Sequence, residues 1–94
     1  MFDVRWTDEA TAELLCIWMD AHPEDRSLIT ETVNEIDKSL ATSADTIGES
    51  RVEDFRILVM ETISVQYRVW HDEREAQVAN VWRTFATPPH RASE

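Results

Sequence analysis

Ninety-four residues suit one domain with a single modest core, and 43% hydrophobic content with one glycine excludes collagen-like repeats and argues against disorder. The formal net charge of −10 repels phosphate backbones, so non-specific nucleic-acid binding is not expected. A lone cysteine, Cys16, excludes an internal disulfide and a cysteine-based zinc site.

The charge is uneven. Residues 1–50 hold three bases against twelve acids, whereas residues 51–94 hold six arginines against seven acids. Any basic patch therefore belongs to the second half. Asp3 interrupts the start of the chain before any apolar stretch, which speaks against a secretory signal. The longest apolar run, Leu14 to Met19, falls far short of the roughly 20 residues that span a bilayer. A cytoplasmic protein with no membrane partner is the expectation.

Phe2-Asp3-Val4-Arg5-Trp6 alternates apolar and polar residues, the period of a half-buried strand. Thr7 or Asp8 is a good helix N-cap, and Ala10, Leu14, Ile17, Trp18 and Ala21 then form one apolar helical stripe. The spacing places Cys16 just off that stripe, close to Glu13 and Asp20, as an inert buried thiol. His22-Pro23 marks a break. A second helix opens near Asp25, with Ile29, Val33, Ile36 and Leu40 as its stripe. So short a turn makes the two helices an antiparallel hairpin. Ala41 to Ser50, which holds the only glycine, Gly48, reads as a loop.

The remainder reads as strand. Phe55, Ile57 and Val59 alternate with Arg56, Leu58 and Met60; Ile63, Val65, Tyr67 and Val69 alternate with Ser64, Gln66, Arg68 and Trp70. Glu61-Thr62 connects these two, Asp72 to Glu75 forms a polar turn, and a last strand covers Gln77 to Phe85. Thr87-Pro88-Pro89 stops further pairing. The expected fold is α+β, in the order β-α-α-β-β-β. An N-terminal strand and a two-helix hairpin precede a three-stranded antiparallel meander, with both helices on one face of the sheet. One domain covers residues 1–87, followed by a loose tail at 88–94.

This layout resembles the RelE/ParE superfamily of bacterial type II toxins. The residues that carry the likeness are the strand ending in Arg5-Trp6-Thr7-Asp8-Glu9-Ala10, the helical hairpin, Gly48-Glu49-Ser50-Arg51, the Arg56-Ile57-Leu58 strand and the Tyr67-Arg68-Val69 strand. The resemblance implies a toxin held by a cognate antitoxin. One branch of the superfamily cleaves messenger RNA on the ribosome, whereas the other inhibits DNA gyrase by binding it. Nuclease members set basic side chains on several strands of the sheet. Here Arg56 matches one such position and Arg83 lies near another, but Ser64 follows Ile63 where arginine is common, and Thr84 follows Arg83.

RNA cleavage through the 2′-hydroxyl needs a base, an acid and cations on the phosphate. Arg56, Arg83 and His90 are the catalytic candidates under that reading; His71 is a further proton carrier, set in a turn. Tyr67 alternates with the apolar residues and is expected in the core. Gln66, Arg68 and Trp70 share the opposite face and are the candidates for partner binding, with Trp70 either stacking on a partner or packing on the C-terminal segment. The three histidines are far apart and no metal-loop spacing of carboxylates occurs, so neither a metal nor another cofactor is expected. The expected action is binding rather than catalysis, on a macromolecule such as gyrase. The alternatives are a ribosome-dependent endoribonuclease and a non-toxic binding module.

Overall fold

The computed structural model describes residues 1–51 and 54–84. The proposed tail, Thr87-Pro88-Pro89 and His90 lie outside the described residues. Strand β1 (Asp3–Trp6) leads into helix α1 (Asp8–Asp20), whose first turn is closed by Thr7, the side chain accepting from the Ala10 amide at 3.0 Å. Asp8 and Glu9 sit in that turn, where the helix dipole favours anions.

Helix α1 ends without a basic residue of its own in the last turn. Arg26 supplies the charge from the next helix: it donates to the Trp18 carbonyl at 3.0 Å, which also accepts the Ala21 amide at 3.3 Å, and to the Met19 carbonyl at 3.1 Å. Helix α2 (Pro23–Ser43) opens two residues before Asp25, with Pro23 in the first turn, where its missing amide costs nothing. It also runs three residues into the segment read as loop. Leu40 and Ala44, one turn apart and both fully buried, carry the apolar stripe past Ala41.

After α2 the chain turns through Gly48 (φ 73°) into β2 (Glu49–Ser50), which pairs with β3 (Phe55–Val59). The loop expected to extend to Ser50 therefore ends in a two-residue edge strand. β3 is followed by β4 (Ile63–Trp70) and β5 (Glu75–Arg83). The last strand begins two residues before Gln77, because the turn closes at Arg74, whose φ of 52° reverses the chain there.

The sheet order is β1-β5-β4-β3-β2. β1 runs parallel to β5, with Asp3 opposite Glu75 and Trp6 opposite Val78, and the other pairs are antiparallel. The register of β4 on β5 shifts between Gln66 and Tyr67, where Gln66 faces Asn80 but Tyr67 faces Val78. The fold is thus α+β in the expected order, with β2 added at one edge.

The core joins Ala10 of α1 and Ile36 and Leu40 of α2 to Ile63, Val65, Tyr67 and Val69 of β4 and to Ala76, Val78 and Val81 of β5. Trp6 ties β1 to α2 through its indole N–H, which donates to the Asp37 carboxylate at 2.9 Å. Two expectations for α1 are corrected. Trp18 is not part of the core but 37% exposed, and Cys16 is exposed rather than buried. Each residue turns a helix by about 100°, so Ala10, Leu14 and Ile17 point at the sheet while Cys16 rotates outward.

Candidate functional site

Alternation along β4 divides the candidates between the two faces of the sheet. Tyr67 points inward and is fully buried, while Gln66, Arg68 and Trp70 point outward and are half-buried. On the outer face Arg68 stands opposite Phe55 of β3 and Gln77 of β5, and Gln66 stands opposite Ile57. The Arg68 guanidinium lies 4.2 Å from the centre of the Trp70 ring and 5.3 Å from that of Phe55. Cation–π contacts of this kind contribute about 0.5–2 kcal/mol each and hold the three side chains as one platform. Arg5 of β1 meets Glu75 at 3.4 Å at the margin of the same face, an exposed pair that stabilises little.

Ser64, at the other end of β4, is buried and within 3.0 Å of the Thr84 hydroxyl. Thr84 donates its own proton to the Met60 carbonyl, so Ser64 is the donor between the two hydroxyls. A neutral hydroxyl chain therefore fills the end of the sheet.

Arg56 lies opposite Tyr67 and shares its inward face. Its Nε donates to the Ile47 carbonyl at 2.8 Å, one terminal nitrogen to the Gly48 carbonyl at 3.3 Å, and the other to the Ser50 hydroxyl at 3.2 Å. The Tyr67 hydroxyl donates toward the Ala44 and Ile47 carbonyls at 2.8 and 2.9 Å. Burial raises the Tyr67 pKa above its ordinary value of 10.0, and the neighbouring Arg56 opposes that rise. Arg56 and Tyr67 together fix the 44–50 turn. A side chain at Gly48 would put its Cβ 2.7 Å from the Ile57 carbonyl oxygen, which is why the turn passes so close to β3 only with glycine there.

Arg83 pairs with Ile63 at the far end of the sheet. Four strand residues and two interstrand spacings separate it from Arg56, on the order of 15 Å. The two arginines are not brought together. Arg83 instead borders an apolar groove between α1 and the end of β5, lined by Ala12, Cys16, Ile17, Val81 and Trp82. His71 is exposed in the β4–β5 turn and, with Asp45, Ser50, Asp54 and Arg56, lines a polar cleft of about 170 Å³. No group of three or more His, Cys, Asp or Glu side chains among the described residues is arranged to hold a metal ion. No helix among them is long and apolar enough to cross a membrane.

Sequence reasoning missed Glu13. Its carboxylate accepts the Val81 amide at 2.9 Å and the Asn80 side-chain amide at 3.3 Å, joining α1 to β5 beyond the end of β1. A glutamate on a helix flank carries no local signal of such a role.

No protein-family model matches the sequence, and no match is found among curated proteins. Solved structures do match. The chromosomal ParDE toxin–antitoxin system from P. aeruginosa is similar at 26% identity and a TM-score of 0.70, over 88% of this chain and 96% of that one. The RelBE2 toxin–antitoxin complex from Mycobacterium tuberculosis is similar at 15% identity and a TM-score of 0.69, over 87% of this chain and 90% of the other. The isolated RelE toxin from E. coli is similar at 12% identity and a TM-score of 0.60, over 99% and 95% of the two chains. These neighbours are ParE and RelE toxins, and the resemblance read from the sequence holds at the level of the whole fold.

Proposed function

We propose that this chain, which carries the fold of the RelE/ParE superfamily, is the toxin of a type II toxin–antitoxin module. It acts in the cytoplasm by binding a macromolecule such as gyrase, and a cognate antitoxin neutralises it. The observation that carries the binding mode is the Ser64–Thr84 hydroxyl pair at the sheet end where the resemblance implies arginine in nuclease members. Phosphate cleavage needs clustered cations. Arg56 is instead committed to the Ile47, Gly48 and Ser50 groups, with Arg83 far from it along the sheet. The outer platform of Gln66, Arg68 and Trp70 suits recognition, because it offers a large ring, a guanidinium and an amide on one rigid strand.

The test is controlled expression in a bacterial host, with and without the neighbouring gene. Growth arrest relieved by that gene is expected, with no ribosome-dependent mRNA cleavage by the purified protein. Specific cleavage abolished by Arg83→Ala overturns the binding mode. The absence of growth arrest overturns the toxin reading and favours a non-toxic binding module.

A further inference from the structure

At the ends of β3 and β4 opposite the Ser64–Thr84 pair, the polar cleft of about 170 Å³ opens on the side of the sheet that Arg56 faces. Segments distant in sequence build it. Asp45 comes from the turn after α2, Ser50 from β2, Asp54 and Arg56 from the start of β3, and His71 from the β4–β5 turn, with Val69 as the apolar residue of the wall. The proposed toxin action makes no use of this cleft.

The walls carry both signs. Asp45 and Asp54 are exposed, and among the described residues neither carboxylate accepts a hydrogen bond or joins a salt bridge. Acceptors without donors suit an ammonium group. Arg56 is the fixed cation, its guanidinium held in place by the Ile47, Gly48 and Ser50 oxygens. Because the Ser50 oxygen accepts from Arg56, the hydroxyl keeps its own proton to donate, beside that positive charge, to a carboxylate. His71 adds an imidazole that offers one donor and one acceptor.

Size and charge narrow the ligand. A cavity of about 150 Å³ holds a molecule of about six heavy atoms, so only a small one fits. A phosphate or a simple carboxylate would meet the two aspartates, and a bare amine would meet Arg56. For a metal ion, no group of three or more ligating side chains is suitably arranged among the described residues. An ammonium and a carboxylate in one small molecule answer both kinds of wall.

We propose that this cleft binds a free α-amino acid with a small side chain, Asp45 and Asp54 taking the ammonium and Ser50 and Arg56 the carboxylate. The site stands whether or not the chain arrests growth.

The test is a titration of the isotope-labelled full chain with L-serine at neutral pH, read by amide chemical shifts. Shifts centred on Asp45, Ser50, Asp54 and His71 are expected, saturating by about 50 mM. Acetate, methylamine and glycine betaine are the controls: the anion alone, the cation alone, and a zwitterion without N–H donors. Each is expected to bind about tenfold more weakly or less. Asp54→Asn and Ser50→Ala alter exposed side chains and are expected to weaken L-serine about tenfold, whereas the distant Asp20→Asn leaves it unchanged. Unmoved amides away from each substitution report that the variant keeps its fold. Shifts still linear at about 50 mM overturn the proposal. So does any control that binds as tightly as L-serine, unchanged affinity in either cleft variant, or equal weakening by Asp20→Asn. Shifts centred on the outer face of the sheet overturn it as well.

Discussion

Replacing Tyr67 by phenylalanine removes one oxygen from the best-packed strand and tests how the 44–50 turn is held. The ring is fully buried and its shape is conserved, so the cavity term is small. The loss is the hydroxyl that donates to the Ala44 and Ile47 carbonyls. Ile47 retains Arg56 as a donor at 2.8 Å, whereas the Ala44 carbonyl, on a fully buried residue, loses the phenol. Leaving a buried acceptor short of a donor costs about 1–3 kcal/mol. Urea unfolding at neutral pH should therefore show Tyr67→Phe less stable by that amount, with an unchanged m value. The variant also has a pH signature. The folded-state pKa of Tyr67 is raised above 10.0, so the native state holds the phenol proton after the unfolded chain has begun to release it. The resulting stability is complete below the unfolded pKa and is lost as pH rises through the folded one. Wild type should lose stability above about pH 10 from this group, and Tyr67→Phe should lack that component. A variant within about 0.5 kcal/mol of wild type, or one with the same alkaline limb, would refute the reasoning.

Gly48→Ala should destabilise by about 2 kcal/mol or more in the same unfolding experiment, since a positive φ alone costs about 1–2 and the new Cβ also meets the Ile57 carbonyl oxygen. Glu13→Ala should cost about 1–3 kcal/mol by removing a charged acceptor from the Val81 amide, and hydrogen exchange at Val81 should speed up most. In growth assays Arg83→Ala should leave arrest unchanged, because a binding toxin does not rely on that side chain for chemistry.

The faces of β4 were legible because Ile63, Val65, Tyr67 and Val69 are all apolar, while Ser64, Gln66 and Arg68 between them are polar; the structure buries the first set. β3 gave no such contrast. Phe55 and Ile57 are as apolar as Leu58, so nothing local showed that Arg56 and Leu58 would face the helices. The partners of Arg56 are backbone carbonyls of Ile47 and Gly48, groups that every residue owns and no sequence advertises. The helical stripes were readable, yet Trp18, about 80° round the helix from Ala10, sits at the margin of the stripe and outside the core, with Arg26 stacked on its ring. The two-residue β2 is too short for any period, and the parallel seat of β1 on β5 is a contact across some 70 residues that only the assembled sheet defines.

One consequence follows from where β1 stops. Its last partner on β5 is Val78, so the remaining amides of β5 would lie bare along one margin of the sheet. Glu13 acts as a counterfeit neighbour there, offering carboxylate oxygens where another backbone would offer carbonyls. The opposite margin is a strand only two residues long. Among the described residues neither border gives a foreign chain a long template to extend, so the five-stranded sheet that they form resists growing a sixth.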